Sequence, residues 1–232
     1  MRVLALLSGG KDSVCAIETA QGFGWDVVAA LALHPAQDDA WMFHTPNLSV
    51  VRGVAQCLGI PLLEAPVREG QAEELEDLEG ALGSARDRFA LDGIVSGALA
   101  SEYQRTRLEA IGHRLGLKTF TPLWHKEPTS YLRSLVSGGY ELRFSRVAAD
   151  GFDETWAGAK LDEAAVKRID AMKSRPHVAG EGGEYETLVL DAPCFQRRLV
   201  IDRAHVVAQT NRATWIVDAW HSEAKSHSPA SS

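Results

Sequence analysis

One junction near the start constrains this chain more than any other feature. Val3 to Leu7 is a short, wholly apolar run, as expected of a strand buried on both faces. It passes without a spacer into Ser8-Gly9-Gly10-Lys11-Asp12-Ser13. Lys11 to Phe23 then has helical spacing, with Val14, Ile17 and Thr19 or Ala20 on one side. A buried strand that turns through two glycines straight into a helix fits a parallel sheet, whose successive strands must be joined by a crossover, usually helical.

The alternation continues. Trp25 to Leu33 reads as a second buried strand, Leu48 to Leu58 as a helix closed by Gly59, and Ile60 to Ala65 as a third strand. Glu73 to Phe89 is a charged, exposed helical stretch, Gly93 to Ser96 a fourth strand, and Glu102 to Leu115 a helix stopped by Gly116. This order predicts a parallel sheet covered by helices on both faces, with ligands outside the carboxyl ends of the strands. The pattern changes near Pro122. Glu127 to Val136 and Leu161 to Lys173 read as helices. Tyr140 to Ala148 reads as a strand, and Tyr185 to Leu190, Arg197 to Gln209 and Thr214 to Trp220 as antiparallel strands. The expected organisation is an α/β domain over residues 1–121, a smaller α+β domain over 122–224, and a polar, disordered tail over 225–232.

Composition narrows the function classes. The chain has 232 residues, 45% of them hydrophobic, enough for a core that needs no disulfide. Its 31 acidic residues against 24 Lys and Arg give a net charge of −7. That argues against a broad basic face for nucleic acid, while leaving room for a small basic patch. Cys15, Cys57 and Cys194 are odd in number, far apart and form no CxxC, so no zinc knuckle, thioredoxin motif or disulfide framework is expected. Val3 to Leu7 is too short for a signal-peptide core or a membrane span, and no other stretch approaches spanning length. A soluble cytoplasmic protein with no membrane partner is expected; oligomerisation stays open.

Three motifs carry chemistry. In the first, Gly9 and Gly10 let the backbone turn sharply and bring its amides near a ligand. The helix N-terminus and Lys11 add positive charge, and Ser8 and Ser13 add hydroxyls, which together make a phosphate cradle. Asp12 stands where a Walker A loop has Ser or Thr, so this is a different loop. The second motif, Ser96-Gly97-Ala98-Leu99-Ala100-Ser101-Glu102-Tyr103-Gln104-Arg105, follows the fourth strand. Gly97 allows close approach of a nucleotide, Ser101 suits an N-cap, and Gln104 and Arg105 fall in the first helical turn. Arg105 is placed to reach a phosphate or carboxylate, or else is an ordinary solvated arginine. The third motif, Gly180-Glu181-Gly182-Gly183-Glu184-Tyr185-Glu186-Thr187, interleaves glycines with acids. That suits a loop bent around a cation or a metal-bound phosphate, although a charge run is more often a solvated surface.

Ser8 to Ser13 resembles the PP-loop of the ATP pyrophosphatases. Together with Gly180 to Pro193 it resembles the diphthine–ammonia ligase family, supported by Met42-Phe43-His44-Thr45-Pro46, Gly97 to Arg105, Pro122-Leu123-Trp124 and Ala149-Asp150-Gly151. Ala179 and Ala159 depart from that family's pattern, where Cys and Arg are expected, and the first speaks against a catalytic thiol at that position. The resemblance implies a PP-loop, Rossmann-like nucleotide-binding domain. It also implies a reaction in which ATP adenylates the carboxylate of diphthine, a modified histidine on elongation factor 2, and ammonia displaces AMP to leave the amide.

On this reading Lys11, Asp12 and Ser13 are catalytic. Ser8, Gly9, Gly10, Lys11, Ser13, His34, Gly97, Ser101, Gln104 and Arg105 bind ATP, and Asp12 holds Mg²⁺ unless it only complements the helix dipole. His44, Trp124 and residues Glu181, Gly182, Gly183, Glu184, Tyr185 and Glu186 bind the acceptor. Diphthine's trimethylammonium group calls for negative charge and aromatic faces, so Glu184, Tyr185 and Trp124 are candidates for a cage, with core packing of Tyr185 as the competing role. His34 also suits an ordinary strand end and His44 a turn, and Trp41, Trp124 and Trp156 suit the core. Residue 1 is Met and no Cys lies beside a His, so free ammonia rather than built-in glutaminase activity is expected. Two other readings remain open: adenylation of another acceptor, a small carboxylate or tRNA base, and an ATP-binding sensor without chemistry.

Overall fold

The computed structural model describes residues 1–35, 48–68, 70–99 and 101–225. The first sheet holds β1 (Arg2–Leu6), β2 (Asp26–Pro35), β3 (Leu62–Val67), β4 (Gly93–Val95) and β5 (Lys118–Phe120), all parallel, in the order β3-β2-β1-β4-β5. Four helices form the crossovers: α1 (Lys11–Gly22), α2 (Leu48–Leu58), α3 (Gln71–Phe89) and α4 (Glu102–Leu115). Alternation along β1 divides the core. Val3 and Ala5 join α1 and α2 residues such as Val14, Ile17 and Val54, while Leu4 joins Leu78, Leu82, Leu108 and Ile111 of α3 and α4 on the other face. The α/β, Rossmann-like expectation is therefore met for this half.

The chain then runs through α5 (Pro128–Ser137), β6 (Glu141–Val147), a short 3₁₀ turn at Glu154–Trp156, α6 (Glu163–Asp170), β7 (Tyr185–Asp191), β8 (Arg197–Gln209) and β9 (Arg212–Ala224). The last four strands form an antiparallel sheet ordered β7-β6-β9-β8. This sheet packs on the α1/α2 side. Phe144, Leu188 and Leu199 belong to the same buried cluster as Val14, Val54 and Val3. Gly53 of α2 is the contact point: a methyl group there would stand 2.8 Å from Leu199 and 3.1 Å from Trp220. One hydrophobic core thus runs through both sheets. No helix among the described residues is long and apolar enough to cross a membrane.

Candidate active site

The chain winds outward from β1 in both directions, so the strand order reverses between β1 and β4, the place where open sheets bind ligands. A crevice of about 640 Å³ opens there, of a size with small-molecule sites. One wall comes from the first sheet and the other from β6, β7 and the loop before β7.

The first motif forms the floor. Gly9 has φ 78°, a left-handed conformation that glycine adopts without strain, and its carbonyl accepts from the Val189 amide at 3.0 Å. Gly10 occupies the N-cap of α1 and makes no side-chain cap. The Lys11 amide donates to Thr187 Oγ1 at 3.1 Å. Ser13 Oγ donates to the Gly10 carbonyl at 2.9 Å and accepts from the Ser8 amide at 3.3 Å. A helix start with no side-chain cap, bordered by two hydroxyls and facing an open crevice, is a site for an anion.

Lys11 lies differently from a free phosphate ligand. It is 3% exposed, and its ammonium donates to the Ala179 carbonyl at 2.7 Å and to Asp12 Oδ2 at 2.8 Å, 5.5 Å from the Tyr185 ring centre. The first motif is thereby tied to the third, across 168 residues of sequence. Asp12 Oδ1 accepts from the Tyr131 hydroxyl at 2.8 Å. Burial first, and then the Asp12 charge, push that hydroxyl well above the ordinary tyrosine range, so it stays a donor.

The second motif packs against the first. A Cβ on Gly97 would lie 2.5 Å from the Asp12 carbonyl carbon and 2.7 Å from the Ser13 amide, so only glycine lets β4 meet the loop this closely. Ser101 caps α4 by accepting from the Gln104 amide at 3.3 Å. His34, Ser101 and Gln104 all line the crevice. Arg105 does not: it pairs with Glu102 at 2.6 Å and Glu109 at 2.5 Å, with its guanidinium 4.8 Å from the Trp124 ring centre. Arg107, one turn beyond Tyr103, lines the crevice instead, stacked on the Tyr103 ring.

In the third motif Gly180 (φ 75°) and Gly183 (φ 83°) bend the chain. Glu184 folds back on its own loop, its two oxygens accepting from the His177 and Gly182 amides, each at 2.8 Å. Glu181, Gly183, Tyr185 and Glu186 line the crevice; Gly182 lies outside it. Tyr185 is 3% exposed, packs edge-on to Phe144 at 5.1 Å and donates its hydroxyl to the Val178 carbonyl at 2.5 Å. Glu184, Tyr185 and Trp124 are therefore not gathered around one space. Only Tyr185 reaches the crevice, while Glu184 clamps its loop and Trp124 is stacked with Arg105 and edged by His125 at 4.6 Å. Trp156 is in the core, 5.2 Å from Phe144. Trp41, His44 and the tail beyond Lys225 lie outside the described residues.

Sequence reasoning gave no role to four residues of this site: Arg107, Tyr131, Arg146 and Thr187. Arg107 shares a helix face with Tyr103, and Thr187 closes the third string; both signals were readable. Tyr131 and Arg146 sit on elements with no local motif. Among the described residues, no group of three His, Cys, Asp or Glu side chains is placed to hold a metal. None of the cysteines lines the crevice, and burial raises their thiols, Cys57 to about 11 and Cys194 to about 12.

A family model described as the diphthamide synthase N-terminal domain matches residues 1–119, and one described as the C-terminal domain matches residues 127–223. The diphthine–ammonia ligase of Homo sapiens is 33% identical over 227 residues, covering 89% of this chain and 85% of that one. The ligase of Danio rerio is 32% identical, covering 92% and 91%. The ligase of Schizosaccharomyces pombe is 34% identical over 91% of this chain but only 38% of its own length. A solved structure described as a predicted subunit of tRNA methyltransferase from Methanocaldococcus jannaschii aligns with a TM-score of 0.42 at 15% identity, over 83% of this chain and 98% of that one. With both family models matched in order and similarity spanning most of its length, this chain belongs to the diphthamide synthase family.

Proposed function

We propose that the protein is an ATP-dependent diphthine–ammonia ligase. The observation that carries this reading is the meeting of the first and third motifs in one crevice, through the Lys11–Ala179 and Lys11–Thr187 hydrogen bonds, in a chain of this family. An oxygen of the diphthine carboxylate attacks the α-phosphorus of ATP, the bond to the β-phosphate breaks, and pyrophosphate leaves. The nitrogen of ammonia then attacks the acyl carbon, the bond to AMP breaks, and a proton passes to solvent. Elongation factor 2 and ammonia are the partners this reading names.

The residues divide the work. Ser8, Gly10, Ser13 and the first turn of α1 receive phosphate oxygens, while Gly9, which lies outside the crevice lining, shapes the turn; preformed donors of this kind act where charge develops. His34, Gly97, Ser101 and Gln104 border the nucleotide. Lys11 brings its charge beneath the loop while holding the third motif in place. Arg105 has its donors committed to Glu102 and Glu109 and acts at most from behind the crevice. Mg²⁺, when bound, neutralises charge on the phosphates. Asp12 is the carboxylate that would hold it, its two oxygens already accepting from Lys11 and Tyr131.

The test uses elongation factor 2 purified from a strain lacking its ligase, with ATP and ammonium. The expected products are AMP and pyrophosphate, and a factor whose mass has shifted from carboxylate to amide. ADP and phosphate, or no turnover, would refute the proposal.

A further inference from the structure

The crevice wall formed by β6 and β7 holds a charged pair whose arginine has no role so far. Arg146 of β6 stands in register with Glu186 of β7 on one side and Thr214 of β9 on the other. Directly opposed residues of antiparallel strands share a face, and all three line the crevice. The pairing with β7 shifts register between Phe144 and Arg146, an irregularity of the kind that re-aims side chains beside active sites.

The side chain of Arg146 is incompletely satisfied. One terminal nitrogen donates to Glu186 Oε1 at 3.2 Å, but its Nε is buried and has no hydrogen-bond partner among the described residues. Arg143 and Arg198 share this orphaned Nε without lining the crevice, so it is the place of Arg146 in the crevice wall, rather than that nitrogen, that points to a ligand. The planar fork of Arg suits a carboxylate. Glu186, at 59% exposure, places its carboxylate beside the same opening. That charge repels a phosphate and attracts a cation.

We propose that Arg146 and Glu186 read the acceptor side chain as a zwitterion, with its carboxylate on Arg146 and its quaternary ammonium beside Glu186. The proposal rests on the diphthine reading above, since diphthine carries both charges. A trimethylammonium group has no N–H to donate, and Glu186 recognises it by charge alone. In the free protein the two residues neutralise each other through a partly exposed ion pair, which is worth little, so an acceptor carrying both charges can exchange with it. The PP-loop receives the phosphates on the floor of the same crevice, which the acceptor carboxylate enters from the β6–β7 wall.

The experiment compares the full-length enzyme with Arg146→Met, Arg146→Lys and Glu186→Gln, using diphthine-bearing elongation factor 2, ATP and ammonium. Melting temperatures verify folding. Arg146→Met is expected to raise the KM for the acceptor by roughly 10–100-fold, the range of a lost charged hydrogen bond, and Glu186→Gln by several-fold. The KM for ATP stays within about twofold in each. Arg146→Lys recovers part of the loss, because it keeps the charge but not the fork. Unchanged acceptor KM in folded Arg146→Met or Glu186→Gln overturns the proposal and leaves the ligase reading intact. So does an effect of Arg146→Met confined to the KM for ATP. Failure of the wild type to release AMP with this acceptor overturns both.

Discussion

At the scale of single residues, the proposed function asks two things of Lys11, charge at the phosphate loop and a tether to the chain before the third motif. Its ammonium is almost wholly buried, yet it reaches Asp12 and the backbone of the third motif rather than solvent. Lys11→Met keeps much of the side-chain volume and removes the charge. The Ala179 carbonyl then loses its donor, and a buried acceptor left unsatisfied costs about 1–3 kcal/mol. For a chain of this size that corresponds to a fall of roughly 2–12 °C in Tm. Loss of a charge acting in the transition state lowers turnover by a further 10²–10³-fold or so. Thermal melting and kcat on the folded fraction separate the two effects. A lower Tm with wild-type kcat would make Lys11 a tether only.

At the scale of elements, α5 shows how helix chemistry supports the site. Glu127 caps it, accepting from the Thr129 amide at 3.0 Å and the Ser130 amide at 2.7 Å, with Pro128 in the first turn. The helix carries Tyr131, which orients Asp12. Bonding to Ser130 first, through side chain and amide, and then to Thr129 holds the Glu127 carboxyl at about 2, down from 4.5. A carboxyl depressed in the folded state contributes stability that is present above its unfolded value and is lost as protons bind the cap. Glu127→Gln is therefore expected to melt below wild type at pH 7, with the gap narrowing from about pH 4.5 toward pH 2. Melting curves at pH 7, 4 and 3 check this; a constant gap would refute the cap's ionic contribution. Other elements show what the sequence could and could not tell. Gly59 (φ 72°) and Gly116 (φ 67°) close α2 and α4 where glycine stop signals stood, because a left-handed C-terminus is a local requirement. β5 went unread: Lys118-Thr119-Phe120 has three residues, too few to show a period, and becomes a strand only by pairing with β4. The same holds for the site. The glycine-rich motifs were legible because backbone geometry dictates their residues. Arg146 and Tyr131 were not, since their places depend on strand register and helix packing far from either motif, and the turning of Arg105 onto Trp124 is likewise a tertiary choice.

At the scale of the whole molecule, the two sheets share their load-carrying contacts with the site. The Val189 amide bonds the Gly9 carbonyl, and the Lys11 amide bonds Thr187, so β7 completes the PP-loop physically. Leu188 and Leu199 of the antiparallel sheet lie in one buried cluster with α1 and α2. The PP-loop cannot keep its shape if β7 leaves, and β7 cannot leave without exposing that shared core. The family models divide the chain between residues 119 and 127, but the energetics expected from this packing are undivided. Calorimetry should give a single transition in which the calorimetric and van't Hoff enthalpies agree. ATP, acting on the loop, should raise the melting of the whole chain. At a concentration 100 times its Kd it adds about 2.7 kcal/mol, or roughly 5–10 °C. Circular dichroism of the antiparallel sheet and a nucleotide-binding readout should then move together on heating. Two separate transitions, or a nucleotide shift confined to one of them, would show that the sheets unfold independently and that the crevice is a seam between domains rather than part of one core.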